Sequence, residues 1–527
     1  MTHACRLTEI PKHELPELIK FYRHFPQKYP FLLTTSSNKS ETQAFFSQHP
    51  FQTSSHNKQQ QTDFDILFIE PSEWLQLDYQ LNLTTSSKIE ITSDELFLDA
   101  FDRLFAVEKK NNKSDYEQLA NPGLPFTGGW FVFLAYELAQ QIEPRLNLTL
   151  DKQLLPVAYA ARVKQALIYD HKKEKLFFLS ESDLNHEKCY QSLLNDSKSI
   201  EKSDQHSSSF EELSKSLQEE NDNVFLNSVD TVKNYIKDGD VFQVNLSRLW
   251  QSSSNSVNHT EQAFLLSQAL TNQNPAPFSG IVNIESEQGI ATIISSSPER
   301  LLKVKNNLLE SRPIAGTHPR GFSEKEDARL LNELHAHPKE QAEHIMLIDL
   351  IRNDLGRVCV PGTVNVDELM VNESYAHVHH IVSNVSGKLQ PDKTPGEVIK
   401  AMFPGGTITG CPKVRCMEII AELEQQSRGA YTGSMGYINL DGSMDFNILI
   451  RTMVLETASK NVLDKTPETD FKDGVASKPE PADNKIKQKL SFRAGAGLVF
   501  DSIAENELQE TRAKAKGLLK ALQVSSL

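Results

Sequence analysis

Cysteine is scarce in this chain: five residues in 527, Cys5, Cys189, Cys359, Cys411 and Cys416. The number is odd, and the closest pair, Cys411 and Cys416, is separated by four residues. That excludes a disulfide-stapled scaffold and a zinc ribbon, and predicts buried free thiols in a reducing compartment. Also missing is any uninterrupted apolar run approaching about 18 residues, so no membrane-spanning helix is expected. The opening residues, Met-Thr-His-Ala-Cys-Arg, have neither the basic start nor the apolar stretch of a secretory signal, and a cytoplasmic protein is expected. Basic charge is outweighed, with 55 Lys and Arg against 70 Asp and Glu and a net charge of -15. This excludes a general polyanion binder and argues against a nucleic-acid partner. Any anionic substrate must be held by a local cluster of donors.

What is present is ample core material, 39% of residues being hydrophobic. Residues 1–200 form a first region of mixed character. Its expected parts are an amphipathic helix at 15–22, a strand at 29–33, a polar loop at 34–62 and a strand at 64–69. Gly128 and Gly129 open an apolar run, read as a turn entering a core element. Residues 158–169 and 175–179 read as a two-stranded hairpin. A Ser-, Lys- and Glu-rich stretch marks a linker at 201–223. One large region, 224–527, follows. It begins with a helix whose apolar face is Phe225, Val229, Val232 and Ile236, stopped at Asp238-Gly239-Asp240. A strand is expected at 241–248, a hairpin at 280–284 and 289–295, and strands at 447–455 and 490–499. The insert between these last two, 458–488, has the composition of a disordered hairpin loop.

Several stretches could carry chemistry. Residues 311–321 read Ser-Arg-Pro-Ile-Ala-Gly-Thr-His-Pro-Arg-Gly. Its two prolines bar a helix or a central strand and predict a rigid turn. Arg312, His318 and Arg320 surround Gly316 and Thr317 with donors, which suits an anion. A helix is expected from Pro338 to Asp354, apolar around most of its circumference and therefore buried. Glu343, early in it, needs a partner, either an arginine or a metal ion. On the final helix Glu507 and Glu510 share one face, with Lys514 a turn further on. That pattern also fits a solvated salt-bridged face. The preceding strand, Arg493-Ala-Gly-Ala-Gly497, ends in small residues that admit a ligand close to the backbone. An all-oxygen set of two or three carboxylates is what Mg²⁺ prefers.

Taken in order, the motifs resemble those of the chorismate-utilising enzymes, the family of anthranilate synthase and aminodeoxychorismate synthase. They are Gly-Asp-Val-Phe-Gln-Val-Asn-Leu-Ser (239–247), Ser-Pro-Glu-Arg (297–300), Arg-Pro-Ile-Ala-Gly-Thr (312–317) and Glu-His-Ile-Met-Leu-Ile-Asp-Leu-Ile-Arg-Asn-Asp (343–354). His-Ile-Val-Ser (380–383), Gly-Thr-Ile-Thr-Gly-Cys-Pro-Lys-Val-Arg (406–415), Tyr-Thr-Gly-Ser-Met-Gly-Tyr (431–437), Ile-Arg-Thr (450–452), Ala-Gly-Ala-Gly (494–497) and Glu-Leu-Gln-Glu-Thr (507–511) complete the series. The resemblance implies an α+β fold of two packed antiparallel sheets flanked by helices, with the site in the cleft between them. It implies Mg²⁺ held by Glu343 and Glu510 with Glu507 beside them, gripping the ring carboxylate of chorismate. Tyr431, Arg451, the backbone of Gly495, Ala496 and Gly497, and Lys514 match positions that hold the substrate's carboxylates. Gly316, Thr317 and Thr407 match further ligand contacts. Glu299 matches a general acid for the departing C4 hydroxyl, and His380 a histidine near the ring carboxylate. The loop at 406–415 is not a Walker phosphate loop, because Cys411-Pro412 follows Gly410 where Lys-Ser or Lys-Thr is needed.

Within the family, two chemistries compete. C4 amination often uses a lysine nucleophile where this chain has Ala315, which resembles the C2-aminating anthranilate synthases. The tryptophan-binding Leu-Leu-Glu-Ser signature of those enzymes is replaced by Leu-Leu-Thr-Thr, with Thr34 at the glutamate position. Residues 124–131, 409–416 and 444–451 resemble component I of aminodeoxychorismate synthase, and C4 amination is the expectation. Isochorismate and salicylate synthases have a water-activating lysine where Gln243 stands. A catalytically silent chorismate-binding scaffold is the non-enzyme alternative, and the intact set Glu299, Glu343, His380, Arg451 and Glu510 argues against it. No Cys-His glutaminase signature is visible, so a separate glutamine amidotransferase subunit is the expected source of ammonia.

Overall fold

The computed structural model describes residues 5–35, 64–92, 94–111, 123–201, 211–255, 258–319, 323, 326–327, 329, 338–374, 378–459 and 488–524. Apart from their ends, the polar stretch at 34–62 and the insert at 458–488 lie outside these residues.

Two antiparallel sheets face each other between outer layers of helix. The first runs Cys5–Ile10, Lys175–Glu181, Gln165–Asp170, Phe64–Ile69, Phe31–Thr34, Phe278–Ser286, Gly289–Ser297, Thr452–Ala458, Gln488–Leu498, Gln243–Ser254 and Gln218–Glu219. The second runs Ile314–Pro319, Val378–Lys388, Leu308–Arg312, Arg300–Lys305, Met444–Asn447, Ser434–Asn439, Gly129–Leu134, Ala158–Val163, Glu73–Leu77 and Leu83–Thr85, with Asn365–Ser374 also on Val378–Lys388. The division of the chain at 201–223 is thus one of sequence. Strands from both sides of it lie in both sheets.

Period-two alternation sorts the side chains into layers. Phe31, Val282 and Ile293 point between the sheets, where they meet Phe131, Phe133 and Met435 of the second sheet. Phe31 stacks on Phe131 with ring centroids 4.2 Å apart. Their neighbours Leu32, Ile281 and Ile294 point outward onto Phe21, Leu266 and Leu518 of the helices. The outer face of the second sheet packs on Phe97–Asn111, Pro338–Gly356 and Pro395–Met402.

Several expected elements are redrawn. The first helix is Leu18–His24, because Leu15, ahead of Pro16, is extended. The run 158–169 is two strands in different sheets, Ala158–Val163 and Gln165–Asp170, the chain crossing over at Lys164. Both halves are buried, so the apolar pattern carries no break. The run 447–455 likewise divides into Met444–Asn447 and Thr452–Ala458, again in different sheets. The turn expected at 311–321 is a break at Pro313 followed by an edge strand, Ile314–Pro319, paired only with Val378–Lys388. Its prolines fall at the strand ends, where a missing N–H is tolerated. The helix Pro338–Gly356 is buried on one face only, through Leu347, Ile348, Ile351 and Leu355, while Ile345 is exposed. All five cysteines are free, and Cys5, Cys359 and Cys416 are buried.

Beside the crossover at Lys164, the buried Arg162 bridges the sheets. It donates to Glu181 at 2.6 Å, to Glu108 at 2.9 Å and to the carbonyl of Gly129 at 3.1 Å. Removing one member of a buried ion pair strands the other charge, whereas replacing both is often neutral. Arg162→Met is therefore expected to destabilise the protein by about 3–5 kcal/mol, and Arg162→Met with Glu181→Met to recover part of it. Urea unfolding followed by fluorescence checks this, and an Arg162→Met variant as stable as the parent would contradict it.

Candidate functional site

The motif residues collect where the chain passes from one sheet to the other. Ser297 ends a strand of the first sheet and Arg300 begins one of the second, leaving Glu299 on the crossing. Asn447 and Thr452 bracket a second crossing, which carries Arg451. The two crossings are stitched together by backbone bonds from Ile448 N–H to the Glu299 carbonyl (3.0 Å) and from Ser296 N–H to the Arg451 carbonyl (3.1 Å).

Glu299 is buried and accepts from the Thr407 hydroxyl at 2.8 Å. Burial pushes its carboxyl up to about 7, against the opposing pull of Thr407, the Ile314 N–H and the Lys514 ammonium. It is therefore partly protonated at neutral pH. Those three partners come from the 406–408 turn, the edge strand of Gly316 and Thr317, and the final helix, so the acid joins the separate motifs in one place. Glu299 and Thr407 line a small cavity of about 10 Å³ with Gly405 and Gly406.

Arg451 has a left-handed backbone, φ 51°, a conformation that non-glycine residues adopt at a cost and that clusters at functional sites. Its Nη1 donates to Asn274 Oδ1 at 3.0 Å, and among the described residues it has no carboxylate partner. Burial lowers its pKa with nothing opposing. A desolvated guanidinium in that state favours an incoming anion.

Tyr431 is buried, with burial pushing its phenol up to about 12. A Cβ placed on Gly495 would stand 2.6 Å from the Tyr431 hydroxyl and 2.5 Å from the Leu246 carbonyl. Only glycine leaves that approach open. A Cβ on Gly497 would similarly meet Gln243 Nε2 at 2.7 Å, and the Gln243 Oε1 has no hydrogen-bond partner among the described residues. Lys514 reaches the Gly495 carbonyl at 3.0 Å and Glu510 at 2.7 Å, tying the final helix, Ala504–Ala521, to the glycine strand. His380 is buried within Val378–Lys388, in register with Thr317 of the edge strand.

One expectation is corrected. Arg312 is not an available anion donor, because it is buried against Glu373 at 2.6 Å and also bonds Glu368. Among the described residues, no group of three His, Cys, Asp or Glu side chains could hold a metal ion. Glu343 and Glu507 are half-buried and Glu510 is exposed. The donor chemistry still suits Mg²⁺, which takes one or two carboxylates and completes its shell with water and ligand oxygens.

The sequence reading missed a buried charged layer beneath Tyr431. Glu424 bonds Arg428 at 2.7 Å, Arg493 at 3.2 Å and the Ser247 hydroxyl at 2.9 Å. Residue spacing marks only Glu424 and Arg428, four apart, as a pair, while Ser247 and Arg493 reach Glu424 from separate strands. Asn274, the partner of Arg451, was missed for the same reason. A larger cavity, about 220 Å³, is elsewhere: Thr34, Phe278, Lys303, Tyr437, Ser443 and Asp445 are among the residues lining it. None of the expected site residues lines it, and its Arg300 is already paired with Asp445 at 2.8 Å.

The sequence model of chorismate binding enzymes matches residues 39–462. An anthranilate synthase component I-like protein of Synechocystis is 41% identical over 400 residues, covering 76% of this chain and 74% of that protein. Aminodeoxychorismate synthase component 1 of Bacillus subtilis is 38% identical over 408 residues, covering 76% and 78%. Among solved structures, anthranilate synthase component I from Streptococcus pneumoniae superposes with a TM-score of 0.67 at 28% identity, covering 89% of this chain and 95% of that one. With its two-sheet fold and these matches, the chain belongs to the chorismate binding enzyme family.

Proposed function

We propose that this chain aminates chorismate at C4, as component I of an aminodeoxychorismate synthase. The observation that carries the amination reading is the pairing, on two stitched crossings, of a partly protonated buried Glu299 with an Arg451 that has no carboxylate partner among the described residues. A dianionic substrate that must lose a hydroxyl needs both. Arg451, the Tyr431 hydroxyl and the bare backbone at Gly495 receive one carboxylate, and Lys514 adds positive charge. His380 and Thr317 stand on the second sheet beside the ring. Glu299 gives its proton to the C4 oxygen as the C4–O bond breaks, ammonia supplies the electron pair for the new C–N bond, and water leaves. The proton released from nitrogen restores Glu299, so chorismate plus ammonia becomes aminodeoxychorismate plus water, with the enolpyruvyl group kept.

Glu343 and Glu510, with Glu507 beside them, are the side chains that would hold Mg²⁺, whose charge neutralises a ring carboxylate when bound. Glu510 must first leave Lys514. Ammonia comes from a separate glutamine amidotransferase subunit, the "component" wording of the relatives' names supporting this reading.

Position 34 favours C4 amination, because threonine replaces the glutamate of the tryptophan-binding signature. Anthranilate synthesis is the second reading. It is favoured by Ala315 in place of the lysine nucleophile and by the anthranilate synthase names among the relatives.

Incubation with chorismate, ammonium and Mg²⁺ is expected to yield a product that retains the enolpyruvyl group and is converted to 4-aminobenzoate by an added lyase. Chelation should stop the reaction and Mg²⁺ restore it. Anthranilate and pyruvate as products would sink the C4 reading. Glu299→Gln is expected to lower kcat by about 10²–10⁴-fold. The acid function resides in the protonated form, present below about 7 and lost as pH rises through it. The parent's kcat should therefore fall on that side, and a Gln variant with parental kcat would remove Glu299 from the chemistry.

A further inference from the structure

The substrate-facing Tyr431 sits on a loop, 428–433, that is gripped from two sides by buried carboxylates. Glu137, from the N-terminal region, accepts from the backbone N–H of Arg428 at 2.6 Å and from that of Gly429 at 3.1 and 3.2 Å. The adjoining Tyr136 N–H bonds the Gly429 carbonyl at 3.0 Å, and the Arg428 guanidinium lies 4.8 Å from the Tyr136 ring centroid and 5.6 Å from that of Tyr431. From the opposite side, Glu424, at the end of the helix Lys413–Glu424, takes the Arg428 side chain through Nε at 2.9 Å and Nη2 at 2.7 Å. The same carboxylate accepts from Arg493 and from the hydroxyl of Ser247, which in turn accepts from Arg493 Nε at 2.9 Å and stands opposite Gly495 in the strand pairing. Glu137 is 1% exposed, and the Glu424 side chain is 4% exposed. The loop is further tied to the Arg451 crossing, with Thr432 N–H on the Leu449 carbonyl and Leu449 N–H on the Gly433 carbonyl, both at 2.8 Å.

We infer that Glu137 and Glu424 are positioning residues, which hold the 428–433 loop so that the Tyr431 hydroxyl faces the bare backbone of Gly495 and the carboxylate pocket is formed before substrate arrives. The inference rests on the reading that chorismate's carboxylate is bound at Tyr431, Arg451 and Gly495. Neither carboxylate reaches the cleft itself. Their effect is transmitted through Arg428 and its neighbouring peptide groups, and a misplacement of about 1 Å in a binding group costs heavily in a site of this kind. Buried polar networks fix an arrangement in this way to the extent that their members are satisfied, and in this one Arg493 Nη1 has no partner among the described residues. Here Glu424 is the one acceptor shared by two guanidiniums and a hydroxyl.

Two variants test it. Glu137→Gln keeps the shape and one acceptor oxygen, and it strands no charge, because burial already raises this carboxyl to about 7. Glu424→Gln alone would leave two buried guanidiniums without a counter-charge. Glu424→Gln combined with Arg493→Gln keeps the net charge of the layer while removing the bridge. For each, steady-state kinetics with chorismate and ammonium are compared with the parent, and crystal structures give the position of Tyr431. The expected result is a KM for chorismate raised tenfold or more, kcat within about threefold, and a Tyr431 hydroxyl displaced from Gly495. An unchanged KM with Tyr431 in place would overturn the inference. So would a fall in kcat matching a loss of folded protein, which marks a merely structural role. A parent enzyme that never saturates with chorismate would count against the substrate assignment instead, and the position of Tyr431 in the variant structures then decides the positioning role by itself.

Discussion

Everything in the site depends on the paired crossing of the chain between the two sheets at 297–300 and 447–452. Strands that change sheets must turn in the interior, where backbone polar groups need partners. Here the two turns satisfy each other through the Ile448 to Glu299 and Ser296 to Arg451 bonds. The consequence is a rigid seam between the sheets, carrying a carboxyl on one turn and a guanidinium on the other. Each is desolvated by the same packing that builds the core, and the two respond in opposite directions: burial raises the acid's pKa and lowers the base's. The chemistry of the site follows from where the chain must cross.

That arrangement also explains how a chain of net charge -15 accommodates a dianion. Long-range attraction is absent, so affinity has to come from donors within a few ångströms. In the proposed site Arg451, Lys514 and the Tyr431 hydroxyl would supply it at first contact, with Arg428 and Arg493 behind them sharing the single carboxylate of Glu424. Gly495 has no Cβ to exclude the phenol from the glycine strand. The N-terminal region reaches the Tyr431 loop through the hydrogen bonds of Glu137.

Much of this was legible in the sequence, and the rest failed for identifiable reasons. The two-sheet α+β fold followed from the resemblance, and the motifs that carry the resemblance were readable because each is local: small residues at 494–497, a glycine turn at 406, carboxylates three apart on one helix face. Strand order was not readable, since both sheets mix strands from distant parts of the chain. The crossings at Lys164 and at 448–451 were invisible, because residues on either side are equally buried and the apolar pattern runs through unbroken. The prolines of 311–321 were correctly excluded from a central strand, but the edge position that tolerates them was not foreseen. Arg312 looked like an anion donor because its partners, Glu368 and Glu373, approach only through sheet pairing. Glu424 and Arg428 are four apart, a spacing that also fits an ordinary surface ion pair, and nothing local links them to Arg493.

The most direct test of this account is a crystal structure with chorismate bound. It should show the C4 hydroxyl within about 2.6–3.2 Å of the Glu299 carboxyl, the distance a proton donor requires, and a carboxylate between Tyr431 and Arg451. Chorismate seated instead in the larger cavity beside Arg300 and Asp445, with Glu299 facing no ligand oxygen, would contradict it.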